Sequence, residues 1–280
     1  MATLYVTDLD GTLLTPESAV SPTSVKIINE LIGQGLQFTV ATARSPYTAL
    51  PILSELDLRL PMAFINGVFI YDPVSGTELA RNLIRPATAV TAVDVLLRHG
   101  LRPLVFTIDA DGHHRIHHLG GQNASEQHFV AVRLARGDQR FKLVTEFEQA
   151  LSEEILTVIA IDTPDRIDPV LAELPEDLYA HLGPDRGVPG YAWLELCHPL
   201  ANKADAVRFI RDHVAATRLV CFGDNANDLP MFAIADESYA VANATEAALA
   251  AAGGTVGPND ADGVARHLQG LFEAAEADLA

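Results

Sequence analysis

Apolar and polar positions alternate along this chain in two different rhythms. Residues 4–7 form a short apolar run with β-branched members that stops at an acidic, glycine-containing turn, the pattern of a buried strand. Ser21 and Pro22 then supply an N-cap and a first-position proline, followed by Val25, Ile28, Leu31 and Ile32 at helical spacing and by Gly33 and Gly35 as stop signals. A second apolar run covers 38–41, a helix starts at Pro46, and a third run at 63–65 ends in Asn66-Gly67. Strands that alternate with helices predict an α/β fold, a doubly wound parallel sheet whose ligands gather at the carboxyl ends of its strands.

The rhythm changes after about residue 85. A helix over 88–98 leads to strands at 103–108 and 114–118 around an Asp111-Gly112 turn, then to a helix over 165–174 and strands at 178–182 and 192–196. From Asn202 the first rhythm resumes: a helix to residue 216, a strand at 218–222, a Gly-Asp turn, a helix to 235 and a strand at 239–241. An amphipathic helix over about 264–275 follows. The expected organisation is a Rossmann-like core of residues 1–85 and 196–280, interrupted by an inserted α+β domain of residues 86–195.

Charge narrows the partners. Lys plus Arg number 19 against 37 Asp plus Glu, a net charge of −18, which repels nucleic acid and anionic membranes. An anionic small molecule remains compatible only where a cation or a local basic cluster reverses the field. Cys197 and Cys221 are the only cysteines and form no CxxC pair, so neither a disulfide framework nor a zinc ribbon is expected. No stretch approaches 18 consecutive apolar residues and the N-terminus lacks a signal-peptide pattern, so the expected setting is cytoplasmic. Oligomeric state is not legible.

Four polar clusters fall at the ends of core strands or the starts of core helices: Asp8-Leu9-Asp10-Gly11-Thr12, Thr42, Lys203, and Gly223-Asp224-Asn225-Ala226-Asn227-Asp228. A doubly wound sheet would bring them to one edge. Asp8, Asp224 and Asp228 are hard oxygen ligands suited to Mg2+. A cation, an ammonium and the N–H groups of a glycine turn around one spot make a phosphoryl group the natural guest. Asp8 can then attack phosphorus, while Asp10, two residues on, protonates the leaving oxygen and later deprotonates water.

In order and spacing, Asp8-x-Asp10-Gly11-Thr12, Thr42 within Ala-Thr-Ala-Arg, Lys203, and Gly-Asp224-x-x-Asn-Asp228 resemble the four motifs of haloacid dehalogenase-like phosphatases. The insertion is similar to the Cof-type, class IIB cap. The resemblance implies Asp8 as nucleophile, Asp10 as general acid/base, and Thr42, its neighbours Ala43 and Arg44, and Lys203 as the phosphate-binding set. It also implies Mg2+ held by Asp8, the Asp10 backbone carbonyl and Asp224, with Asp228 supporting the metal shell and Asn227 orienting the phosphate end. Ala43 stands where relatives often have Gly, and a single Asn66-Gly67 where many have a doubled Asn. The implied activity is Mg2+-dependent hydrolysis of a small phosphorylated metabolite, such as a sugar phosphate, nucleotide or phosphorylated cofactor, through an aspartyl-phosphate. A phosphotransferase of the phosphomannomutase kind and a receiver-like phospho-acceptor module are the alternatives.

Two further patterns are read as structural. Asp109-Ala-Asp111-Gly112 lacks the Thr and the downstream Lys, so it reads as a hairpin turn. In the His113 to His118 row, same-face histidines on a strand lie about 13 Å apart, too far for one ion, so a solvated hairpin is expected.

Overall fold

The computed structural model describes residues 2–185 and 187–277. In chain order its elements are β1 (Thr3–Thr7), α1 (Pro22–Gly33), β2 (Gln37–Val40), α2 (Pro46–Leu53), β3 (Met62–Phe64), β4 (Phe69–Asp72) and β5 (Thr77–Arg81). There follow α3 (Pro86–Arg98), β6 (Leu104–Ile108), β7 (His114–His118), α4 (Ala124–Ala135), β8 (Phe141–Leu143), β9 (Glu154–Asp162), α5 (Pro164–Leu171), β10 (Tyr179–Pro184) and β11 (Ala192–Cys197). The chain closes with α6 (Lys203–His213), β12 (Arg218–Gly223), α7 (Leu229–Phe232), β13 (Glu237–Val241), α8 (Glu246–Ala251), β14 (Gly254–Val256) and α9 (Gly263–Ala277). Two compact units result. One is made of the residues up to Arg81 and from Leu200 onward, the other of Asn82–Pro199.

The first unit is built on a parallel five-stranded sheet in the order β14-β13-β12-β1-β2. Leu4 and Val6 of β1 are fully buried and pack with Leu219 and Cys221 of β12 and with Ala206, Val207 and Ile210 of α6. The register pairs Thr7 with both Val40 and Phe222, so β1, β2 and β12 end side by side. Whatever follows them is delivered to one edge.

The third apolar run extends this sheet only through a single parallel bridge between Ala41 and Ala63. It is the first strand of a separate antiparallel sheet, β3-β4-β5. Its partner hairpin is absent from the apolar pattern because β5 is largely solvent-facing. The expected helix to residue 216 stops at His213, because Ala215 turns into the left-handed region (φ 52°) even though Val214 and Ala216 still pack against the core. Apolar spacing continues there after the helix has ended.

The second unit holds a six-stranded sheet, β10-β11-β9-β6-β7-β8, antiparallel except for the β7–β8 pair. Val158 and Ala160 of β9 face a core with Val93 and Leu96 of α3 and with Ile167 and Val170 of α5. Ile159 and Ile161 face the opposite way, toward Phe129 of α4, Phe141 and Trp193. Burial on both faces makes β9 a continuous apolar run without alternation, and the strand and helix patterning passes over it and over α4.

The solvated-hairpin expectation for the histidine row fails at its C-terminal half. His117 and His118 are buried, and His117 Nε2 lies 3.1 Å from Thr107 Oγ1 and 3.0 Å from Glu153 Oε2. The cause is the strand order: β7 is flanked by β6 and β8, so it is an interior strand. The Asp109 carboxylate closes the preceding turn by accepting from the Asp111 and His113 backbone N–H groups and from Arg115. Among the described residues, no helix is long and apolar enough to cross a membrane.

Candidate active site

Asp8 leaves β1 at the shared strand edge, its backbone N–H donating to the Phe222 carbonyl at 3.0 Å. The chain then turns through Gly11, whose φ of +80° suits glycine, and a Cβ there would lie 2.5 Å from Asp224 Oδ2. Two independent constraints therefore demand glycine. The Thr12 hydroxyl donates to Asp224 Oδ1 at 3.4 Å, tying the turn after β1 to the turn after β12.

Lys203 is the first residue of α6, which Asn202 caps by accepting from the Asp205 N–H. Its side chain is fully buried, and Nζ donates to Asp8 Oδ1 and Asp228 Oδ1, both at 2.6 Å. Asp228 is equally buried, and its Oδ2 accepts from the backbone N–H groups of Asp224 (2.8 Å) and Asn225 (2.9 Å). Asn225 completes a reciprocal capping box with Asp228. One carboxylate thus orients both the ammonium and the Asp224 turn. Carboxylate oxygens of Asp8, Asp224 and Asp228 lie within 4.8 Å of one another.

Burial pushes the Asp8 carboxyl up to about 8. Lys203 opposes the rise, and the neighbouring Asp228 and Asp224 carboxylates add to it. Burial would lower Lys203, but Asp228 and Asp8 together outweigh it and hold the ammonium firmly charged. Acidic charge therefore exceeds what one lysine neutralises.

Beside this group, Arg44 grips Asp10 with two bonds, Nε to Oδ2 at 2.7 Å and Nη2 to Oδ1 at 2.6 Å. Its guanidinium is raised above its usual range by that pairing, against the effect of burial. Thr42 is fully buried and its hydroxyl accepts from the Arg44 backbone N–H at 3.1 Å. Ala43 is exposed and has no polar side-chain atom, so any part it takes falls to its backbone. Asn227 Nδ2 donates to Asn66 Oδ1 at 3.1 Å.

The structure thus gathers Asp8, Asp224, Asp228 and Lys203 into one buried cluster, with Asp10 and Arg44 paired next to it and Asn227 placed through Asn66. Asn66 itself is not among the residues singled out for chemistry. Its signal is conformational: a buried asparagine with φ 52° before a glycine with φ 106°, its N–H donating to the Thr42 carbonyl at 2.9 Å.

Residues 5–268 match the family model of haloacid dehalogenase-like hydrolases. The chain belongs to this family. Two relatives resemble it along almost their whole length. A putative phosphatase of Haemophilus influenzae is 26% identical over 95% of this chain and 96% of its own. The 5-amino-6-(5-phospho-D-ribitylamino)uracil phosphatase YitU of Bacillus subtilis is 25% identical over 96% and 97%. A solved subclass IIB sugar phosphatase superposes with a TM-score of 0.73 at 19% identity, covering 97% of this chain and 99% of that one, which shows a shared fold. As a haloacid dehalogenase-like hydrolase, the chain is an enzyme with a Rossmann-like core.

Proposed function

We propose that this hydrolase is a Mg2+-dependent phosphatase that cleaves a small phosphorylated metabolite through a phosphorylated Asp8. The observation that carries the reading is the buried cluster in which one fully enclosed lysine bridges Asp8 and Asp228 while Asp224 completes the carboxylate group. Phosphatase names among full-length relatives support it. Membership in a hydrolase family favours turnover over a receiver-like module.

The residues fit a divalent cation. The donor set is hard oxygen, it is buried, and its acidic charge is left in excess by the protein's own cations. In this reading Asp8, the Asp10 carbonyl and Asp224 hold the ion, and Asp228 supports it by fixing Lys203 and the Asp224 turn. Bound Mg2+ would draw charge from the phosphoryl oxygens and make an acidic site attractive to an anion. Lys203, the Thr42 hydroxyl and the Ala43 N–H cradle the phosphoryl oxygens, and Asn227 orients that end of the site. The Asp8 carboxylate attacks phosphorus as the P–O bond to the leaving group breaks. Asp10 gives that oxygen a proton, then takes one from the water that cleaves the acyl-phosphate. Residues 86–195 are the inserted cap domain of a cytoplasmic enzyme.

The decisive experiment incubates the protein with Mg2+ and a panel of sugar phosphates, nucleotides and phosphorylated cofactors, reading free phosphate and phosphate transferred to a second sugar. Release without transfer supports the phosphatase; transfer alone would make it a phosphotransferase, and neither product would reject the reading. Asp10→Ala is expected to cost about 10²–10⁴-fold with an alkyl phosphate and far less with a nitrophenyl phosphate, whose leaving group needs no proton. Equal losses on both would remove Asp10 from acid/base duty.

Metal binding has a pH signature. Because burial raises Asp8 in the metal-free folded protein, it keeps a proton that the unfolded chain gives up, so stability falls as pH climbs from about 4 toward 8. Mg2+ binds the ionised carboxylates, so its stabilising increment grows over the same window. The melting temperature with and without Mg2+ is expected to diverge from pH 5 to pH 8. An increment that shrinks with pH would contradict the assignment of Asp8 as a ligand.

A further inference from the structure

The nucleophile turn is braced from outside by residues that carry no motif. Asn243, just beyond β13, donates from Nδ2 to the Gly11 carbonyl at 2.8 Å. Its Oδ1 accepts from the Asn259 backbone N–H at 2.9 Å, and Asn259 Nδ2 donates to the Leu14 carbonyl at 2.6 Å. Each amide is used once as donor, and the Asn259 N–H fixes which end of Asn243 faces Gly11. Two residues 16 apart in sequence, each more than 200 residues from the turn, meet on its back.

We infer that Asn243, braced by Asn259, is a positioning residue that locks the Gly11–Thr12 peptide so that the turn presents its N–H groups to the reacting phosphoryl group. The inference rests on the phosphatase reading proposed above. A trans peptide is planar, so a carbonyl held outward by Asn243 aims the Thr12 N–H in the opposite direction. The Thr12 hydroxyl reaches Asp224, and Gly11 Cα packs against the Asp224 carboxylate. The turn is therefore held between Asp224 on one side and Asn243 on the other. Glycine rotates with little steric cost, so without Asn243 this peptide can flip. A flip would take the N–H away from the phosphoryl group and bring a carbonyl oxygen toward Asp224. Because Asn243 is exposed, its loss removes little packing.

The test compares Asn243→Ala, Asn243→Asp, Asn259→Ala and the Asn243→Ala/Asn259→Ala double variant in the full-length protein with Mg2+. Asn243→Ala is expected to lower kcat about tenfold, ~1.4 kcal/mol in the barrier, with KM within about twofold and the melting temperature nearly unchanged. Asn243→Asp keeps the acceptor for Asn259 but sets a carboxylate against the Gly11 carbonyl, so it should lose more. The loss should be equal for nitrophenyl and alkyl phosphates, because the turn serves the phosphoryl group whatever leaves. Asn259→Ala leaves the backbone N–H that Asn243 accepts and removes only the separate contact to the Leu14 carbonyl, so its loss should add to that of Asn243→Ala in the double variant. Unchanged kcat, a loss that follows the melting temperature, or a loss confined to alkyl phosphates would each overturn the inference. Asp8→Asn run alongside separates the two levels: if it is inactive while Asn243→Ala is fully active, only the positioning role falls. If Asp8→Asn stays active, the phosphatase reading and the positioning role fall together.

Discussion

Asp8→Asn is expected to abolish phosphate release while leaving the protein at least as stable as its parent. The amide matches the carboxylate in shape but is a poor nucleophile, so no phosphorylated side chain forms. Stability moves the other way for an electrostatic reason. Asp8 is buried beside Asp224 and Asp228, and burial raises it, so its ionised form is held at a cost in the metal-free protein. Replacing it removes one of three crowded carboxylates, while Lys203 keeps its 2.6 Å bond to Asp228. The chelated parent should lose stability between pH 4 and pH 8 relative to the variant, since only the parent has Asp8 to ionise. Phosphate release within about tenfold of the parent, a barrier change of only ~1.4 kcal/mol, would take the nucleophile role from Asp8. A collapse of the melting temperature at neutral pH would contradict the electrostatic account.

The parts of the fold legible in the sequence were those where one physical rule acts alone. β1 and β12 are apolar runs because both faces of a parallel sheet are covered, and α1 announces itself through the Ser21 cap and Pro22. The chemistry-bearing residues could be picked out because Asp8, Thr42 and Asp224 directly follow strands whose ends the parallel register aligns. What stayed hidden depends on contacts across the chain. Nothing local marks His117 as buried, since its surroundings come from β6 and from Glu153. Nothing in Asn243 or Asn259 signals that both face the turn after β1. Arg44 is similar: its adjacency to Thr42 suggests a phosphate ligand, whereas only the fold shows its guanidinium clasping both oxygens of Asp10.

Lys203→Met should destabilise the core strongly. Methionine keeps most of the lysine stem's volume in a fully buried slot, so packing is nearly preserved and the effect isolates charge. Removing the ammonium leaves Asp8 and Asp228 facing one another without a cation, and Asp228 cannot simply turn away because its other oxygen holds the Asp224 and Asn225 N–H groups. Breaking a buried pair from one side costs about 3–5 kcal/mol, which for a unit of this size lowers the melting temperature by roughly 10 °C. The loss should be greatest at neutral pH and shrink in acid, where the unpaired carboxylates take up protons. Activity falls for the separate reason that the phosphoryl group loses a charged donor. A second substitution distinguishes the two effects: adding Asp228→Asn removes the carboxylate that loses its cation, while its amide oxygen can still accept from the Asp224 and Asn225 N–H groups, so the double variant should regain much of the stability and none of the turnover. If Lys203→Met melts within about 2 °C of the parent at pH 7, or if Asp228→Asn fails to restore it, the buried ammonium is not what holds the carboxylates of this site together.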